Sequence, residues 1–455
     1  MLRWIDTVFP RRALFQRDRR LLHLFLGRVL SSTGFSIVIP FLGLYLHGQR
    51  GVPMSAVGAI FFIAALAGAA GQIVGGEWTD RKGRKYVLVF SQILRASAFL
   101  GMGIAVMLDV PFLWFAALTS LSAFSGRMYE PPSGAMIADI AEGDRRAEYF
   151  GILRIGGNLG WALGPAIGGF LAALSYSSLF LVSAGLLLTA GILMAIKVKE
   201  TSPSHVGARA RAASAARYGM PGEGGMAPQP IPVVGPTSFL GRFGVREILQ
   251  TFRDKSFLQY CLVTLLFFTV MGQLMSTLSV YAVEWAGLTK VQLGTIYSMN
   301  GLMVVFLQFP AVRFTNTMRL TSAMALGSVL YGIGYGMMGF GGGMALLTLA
   351  MIIVTTGEII ATPATQQLAS NFSTEATRGR YMGIYGLFNS FGWSLGPLVG
   401  GILLDSFRGR PMMVWGAIAF LAFSAVLGYL DLRRRLGPAR DRNTEGAMAR
   451  VTTAA

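Results

Sequence analysis

The 455 residues are 53% hydrophobic and 13% charged, with a mean hydropathy of +0.56, values that exclude an ordinary water-soluble domain. The net charge of +18 would suit a nucleic-acid binder in a soluble chain, so where the basic residues lie decides what they mean.

Twelve apolar runs lie near residues 21–46, 54–78, 86–108, 112–138, 148–174, 178–197, 257–283, 291–312, 320–340, 344–370, 381–404 and 412–431. Each approaches the ~20 residues that cross ~30 Å of hydrocarbon. Backbone groups in lipid must be satisfied within each segment, so all twelve are read as helices and the fold class as an all-α integral membrane protein. The first run is too long and uniform for a cleaved signal peptide and is read as a retained span.

In chain order, a segment at 1–20 precedes a six-helix bundle at 21–197. Its first run holds Arg28, and the second closes on "GGEWTDRKGRKYVL", with Gly76, Asp80, Arg81, Gly83, Arg84 and Lys85. Arg95 lies in the third run; the fourth contains Arg127, Tyr129 and Glu130, then Pro131 and Pro132, and ends near Asp139. The fifth carries Arg154 and "GWALGPAIGG". A linker at 198–255 begins as an Ala-, Gly-, Pro- and Arg-rich tether. It ends in "TSFLGRFGVREILQTFRDKSF", which reads either as a helix on the inner membrane surface or as a plain connector. A second bundle spans 256–431, including "TTGEIIATPATQQLA" with Glu358 and "GWSLGPLVGG", and a tail occupies 432–455.

With the N-terminus placed in the cytoplasm, 31 of the 39 Lys and Arg fall on that side, against only Arg50, Lys290, Arg408 and Arg410 opposite. The positive-inside rule then sets both termini in the cytoplasm, and the basic surplus becomes topological, which removes nucleic acid as a partner. Membrane lipids are the expected surroundings. Cys261 alone cannot form a disulfide within the chain, and histidines at 23, 47 and 205 have no metal-site spacing. No G-x-x-x-x-G-K-[ST] run is present. No cofactor and no enzymatic activity are expected.

The two glycine-rich decapeptides agree at seven of ten positions and stand 232 residues apart. That offset also pairs Pro131 with Pro363, Arg146 with Arg378, Tyr149 with Tyr381 and Gly151 with Gly383. Six helices and a linker separate the copies, so they are parallel repeats about an axis normal to the membrane. Gly160, Gly164 and Gly168 make a flat stripe for close helix packing, and Pro165 bends the helix. Packing alone does not demand that Gly169, Gly396 and Pro397 recur at one offset.

Ionisable groups inside spans cost ~2.5–3.5 kcal/mol at mid-membrane on insertion scales and persist where pairing or function compensates. Arg127 and Glu130 share a helical face, and Glu358 falls at the same depth in the other half. A carboxyl shuttled between apolar and wet surroundings changes its proton affinity, so Glu130, Arg127 and Glu358 are the candidate proton and substrate coupling site. A static Arg127–Glu130 staple is the alternative. Arg28, Arg95 and Arg154 either snorkel or cap helix ends, or face the cavity and make it basic. Tyr129, Trp161, Phe268, Phe388 and Trp393 are possible lining residues.

These motifs resemble the major facilitator superfamily across essentially the whole chain. The loop "GGEWTDRKGRKYVL" matches that family's signature between helices two and three, and "LGPAIGG" its antiporter signature, typical of exporters. Gly357, Glu358 and Pro363 are similar to the pattern in proton-coupled multidrug exporters. The resemblance implies two six-helix halves that rock about a central cavity, in a plasma (bacterial inner) membrane. It implies that the loop motif latches helix two to helix eleven in the outward-open state, with Asp139 as the acid joining from helix four. The second half keeps Arg313 but has Asn316 at the Asp80 equivalent, so the latch is one-sided. Many relatives carry an acid in helix one, where this chain has Arg28. The expected function is proton-coupled export of lipophilic small molecules by a monomer. Alternatives are an exporter or flippase of an anionic amphiphile or metabolite using the buried arginines, and a non-transporting membrane sensor.

Overall fold

The computed structural model describes residues 19–141, 145–202, 251–374, 377–438 and 440–442. The candidate surface helix, most of the linker, residues 1–18 and the end of the tail lie outside the described residues. Every regular element among those described is helical. The first bundle comprises α1 (Arg19–Gln49), α2 (Met54–Lys82), α3 (Arg84–Met107), α4 in two pieces (Leu113–Met128 and Glu130–Ile140), α5 (Arg146–Leu174) and α6 (Tyr176–Lys197). The second comprises α7 (Lys255–Trp285), α8 (Lys290–Thr315), α9 (Leu320–Met338), α10 (Met344–Asn371), α11 (Arg378–Ser406) and α12 (Pro411–Arg435). Among the described residues, nine of these are long and apolar enough to cross a membrane by length and composition alone. The others are the divided α4, α8 and the glycine-rich α9.

Packing repeats between the bundles. α1 lies on α5 and α6 as α7 lies on α11 and α12; α2 packs on α4 as α8 does on α10. The bundles meet through two related contacts, α2 with α11 and α5 with α8. Ile63, Leu100, Ile192, Phe420 and Leu427 point outward, as side chains facing lipid do. With apolar groups equally content in lipid, close van der Waals packing between helices does most of the holding. That is why glycine recurs at the crossings: a Cβ on Gly164 would sit 2.9 Å from the Ile37 backbone nitrogen, and one on Gly396 2.5 Å from the Gly272 Cα.

We call the end at residues 19, 83 and 435 the base and the opposite end the far end. Cross-bundle contacts such as Gly58 with Pro397 and Gly301 with Ala162 lie in the far-end half of their helices, and Phe62 of α2 meets Phe391 near the middle of α11. Toward the base, Gly76, Gly151, Gly379 and Gly386 face open space. One apolar core containing Phe41, Phe180, Phe268 and Trp415 runs through both bundles, while the base of the first bundle has its own core around Tyr129, Met136 and Ile152. The halves meet toward the far end.

Candidate functional site

The double proline decides the shape of α4. Two consecutive residues without N–H donors end the first piece, Tyr129 forms the turn, and Glu130 begins the second. In the other half Pro363 stands alone, followed by Ala364, and α10 continues through it. The break places the Glu130 carboxylate in the first turn of a helix, where the dipole favours negative charge. Arg28 Nη1 of α1 donates to Glu130 Oε1 at 2.7 Å, and the Tyr129 ring lies 5.8 Å from the guanidinium carbon. The sequence-based pairing of Glu130 with Arg127 is therefore corrected: an i, i+3 neighbourhood needs an unbroken helix, and Arg127 precedes the break. The Arg127 stem lies over Gly68 of α2. Arg95 reaches past Gly126 to the face of Phe35, 4.1 Å from its centroid, and has Arg28, Arg127 and Glu130 within Coulombic range. Neither Arg28 nor Arg95 snorkels, whereas Arg154 is exposed on α5.

In the second bundle, Asn300 Nδ2 of α8 donates to Glu358 Oε2 at 3.2 Å and to Thr355 Oγ1 at 2.9 Å. Tyr331 and Tyr335 of α9 lie within Coulombic range of Glu358, with buried hydroxyls that have no hydrogen-bond partner. Gly357 makes room for this approach, packing on the carbonyl of Gly327. Each bundle thus holds one acid on the same repeat element, paired with a cation in the first and with an amide in the second.

At the base, α2 and α3 are joined by Gly83 alone, with φ of 90°, a backbone conformation that glycine adopts without strain. Arg84 Nε lies 2.6 Å from Asp139 Oδ2, which also accepts from Thr201 Oγ1 at 2.7 Å. Asp139 thus does join the loop motif, through Arg84. Asp80 is exposed, with no ion pair to another described residue, and Arg81 pairs with Glu77 at 2.7 Å. Both ion pairs of the motif, Arg84 with Asp139 and Arg81 with Glu77, lie within its own half. Sequence reasoning missed Glu200, which accepts from Arg84 N and Lys85 N at 3.1 Å and caps α3. Burial would raise its carboxyl, but N–H donors from Ser202, Lys85, Arg84 and Thr201 hold it below the usual glutamate range. Asp441 caps α9 in the same way, accepting from Thr321 N at 2.9 Å and Thr321 Oγ1 at 2.6 Å. An acid shortly after the sixth helix of each half was the available signal.

The far-end closure was missed too. Asp405 accepts from Met54 N at 3.0 Å and Ser55 N at 2.8 Å, sitting on the N-terminus of α2. At the related contact, Lys290 Nζ donates to the Ala172 carbonyl at 3.0 Å near the C-terminus of α5. His47 and Glu284 approach to 3.4 Å between α1 and α7, beside a cavity of about 410 Å³ that Tyr176 and Arg408 also line. Asp405 follows the duplicated glycines by one helical turn, a signal legible in retrospect.

The antiporter-like glycines all lie at crossings. Gly160, Gly164 and Gly168 press on α1, while Gly392, Gly396 and Gly400 press on α7. Gly169 meets α8, and its counterpart Gly401 meets α2. Trp161 stands edge-on to Phe35 at 6.0 Å, Trp393 lies 6.4 Å from Phe268, and Phe388 lies 6.4 Å from Phe252.

The family profile described as Major Facilitator Superfamily matches residues 24–397 and 287–452. The chain is 26% identical over 410 residues to the multidrug resistance protein MdtH of Klebsiella pneumoniae subsp. pneumoniae, covering 89% of this chain and 92% of that protein. It is 24% identical over 411 residues to the MFS-type transporter YqjV of Bacillus subtilis, covering 88% and 92%. Among solved structures, the nucleoside transporter NupG has a similar fold, with a TM-score of 0.72 at 14% identity over 91% of this chain and 99% of that one. So has a POT family transporter in complex with a thioalcohol-conjugated peptide, with a TM-score of 0.71 at 15% identity over 94% and 99%. The chain belongs to the Major Facilitator Superfamily and is a multi-pass membrane transporter, not an enzyme.

Proposed function

We propose that the chain exports lipophilic small molecules in exchange for protons, as a monomer whose halves rock about a central cavity. The observation that carries this reading is the pair of acids on related elements of facing halves, Glu130 against Arg28 and Glu358 against Asn300. A proton taken up by Glu130 cancels the charge that grips Arg28 and loosens α1 from α4. A proton leaving restores the grip. Glu358 serves as the second coupling group, taking a proton or the cargo in turn. MdtH relatives named for multidrug resistance support an exporter, while the peptide and nucleoside transporters share only the fold.

In this reading the base faces the cytoplasm of a bacterial inner membrane, because most Lys and Arg cluster there. With the halves joined at the far end, this arrangement is read as the inward-facing state, and Asp80 meets α11 when the base closes. Dye uptake into inverted membrane vesicles under an imposed pH gradient tests the scheme. Wild type accumulates dye uphill, and Glu130→Gln and Glu358→Gln each lower the accumulation by about tenfold or more, the scale of a lost proton-transfer group. Undiminished pumping by the double variant refutes it.

A further inference from the structure

Arg28, Arg95 and Arg127 lie around one acid, and Glu130 spends its short contact on Arg28. Among the described residues, Arg95 makes no ion pair within 4 Å and no hydrogen bond, Glu130 acting on it only at longer range. Its Nε is buried and unpaired, its guanidinium lies over the Phe35 ring face, and it fills the space beside Gly126. Part of the side chain remains open. Arginine does not shed its proton, and an uncompensated guanidinium inside a membrane bundle is costly. Aromatic contact attracts the cation but leaves the N–H fork unsatisfied. That fork suits a two-oxygen acid group, which it grips through parallel charge-assisted bonds.

Next to the fork, Phe35 and Trp161 stand edge to face at 6.0 Å and 84°, both partly open, forming an apolar shelf. Arg127 adds a second positive charge from α4, whereas the facing half supplies a single acid, Glu358, already held by Asn300. A cationic cargo would meet three guanidinium groups at this wall.

We propose that this half binds the anionic group of an amphiphilic cargo (a carboxylate, sulfonate or phosphate) through Arg95 and Arg127, with the apolar body on the Phe35–Trp161 shelf. This names the cargo class of the exporter proposed above and rests on that reading.

Two dyes with the same ring body test it: 1-anilinonaphthalene-8-sulfonate, an anion, and N-phenyl-1-naphthylamine, which is neutral. Binding is read by fluorescence titration of the full chain in phosphatidylcholine nanodiscs, against empty nanodiscs. Wild type is expected to hold the sulfonate at least about tenfold tighter, the order expected of a charge-assisted pair. Arg95→Gln brings the two affinities to within about twofold, and Arg95→Lys restores part of the gap, since it keeps the charge without the fork. Affinity for the neutral dye reports that each variant is folded. Equal wild-type affinities, or a preference that survives Arg95→Gln, overturn the proposal. A preference lost in Arg95→Gln, in a protein that pumps neither dye uphill, supports the anion site and refutes the exporter reading.

Discussion

Glu200 concentrates four backbone donors on one carboxylate at the start of α3. Its folded-state proton affinity is depressed, so its stabilisation is present at neutral pH and is lost as pH falls below the unfolded value of about 4.3 toward the lower folded one. Thermal melts in detergent should show Glu200→Gln less stable than wild type at pH 7, by about 0.5–2 kcal/mol as for a lost helix cap. That gap should narrow below about pH 4.3, and a gap independent of pH would deny the cap its charge. The sequence offered only its place just after the sixth helix, because two of its four partners are backbone groups of a turn about 115 positions away. Glu130 was legible as an acid within a span, but its partner was not. Arg28 lies 102 positions away, and spacing along one helix pointed to Arg127.

Among the elements, the glycine stripes were readable because a repeat at fixed offset is a property of sequence alone. What they touch needed the fold. The crowding at Gly164 predicts that Gly164→Ala must displace the Ile37 backbone, at a cost of about 1–3 kcal/mol from overpacking. Gly185→Ala in α6 meets nothing within 4 Å and should leave the melting temperature unchanged or slightly raised. Equal melts for the two variants would dismiss the stripe as the reason for those glycines. The α4 break was likewise written in its prolines, whereas the continuity of α10 through Pro363 needed the structure.

For the whole molecule, twelve spans in two parallel halves followed from hydropathy and the repeat. Which end is closed did not, since one sequence must serve every state of the cycle. Phe62 and Phe391, with ring centroids 6.4 Å apart, mark a seam that must open in each turnover. Replacing both with Cys and bridging them with a short bifunctional thiol reagent should abolish uphill transport, with recovery on reduction. The native Cys261 is buried and contributes little background. Full transport after quantitative bridging would mean that this seam stays shut throughout.

Asp405 rests on the positive start of α2, and Lys290 on the negative finish of α5. These two clasps of one barrier bear opposite signs at related places. Parting both therefore moves opposite charges together, and the electrical work done on one offsets that done on the other. In the proposed exchange, the roughly 2.3 kcal/mol per elementary charge that each 100 mV supplies would then act on the protons rather than on these two clasps.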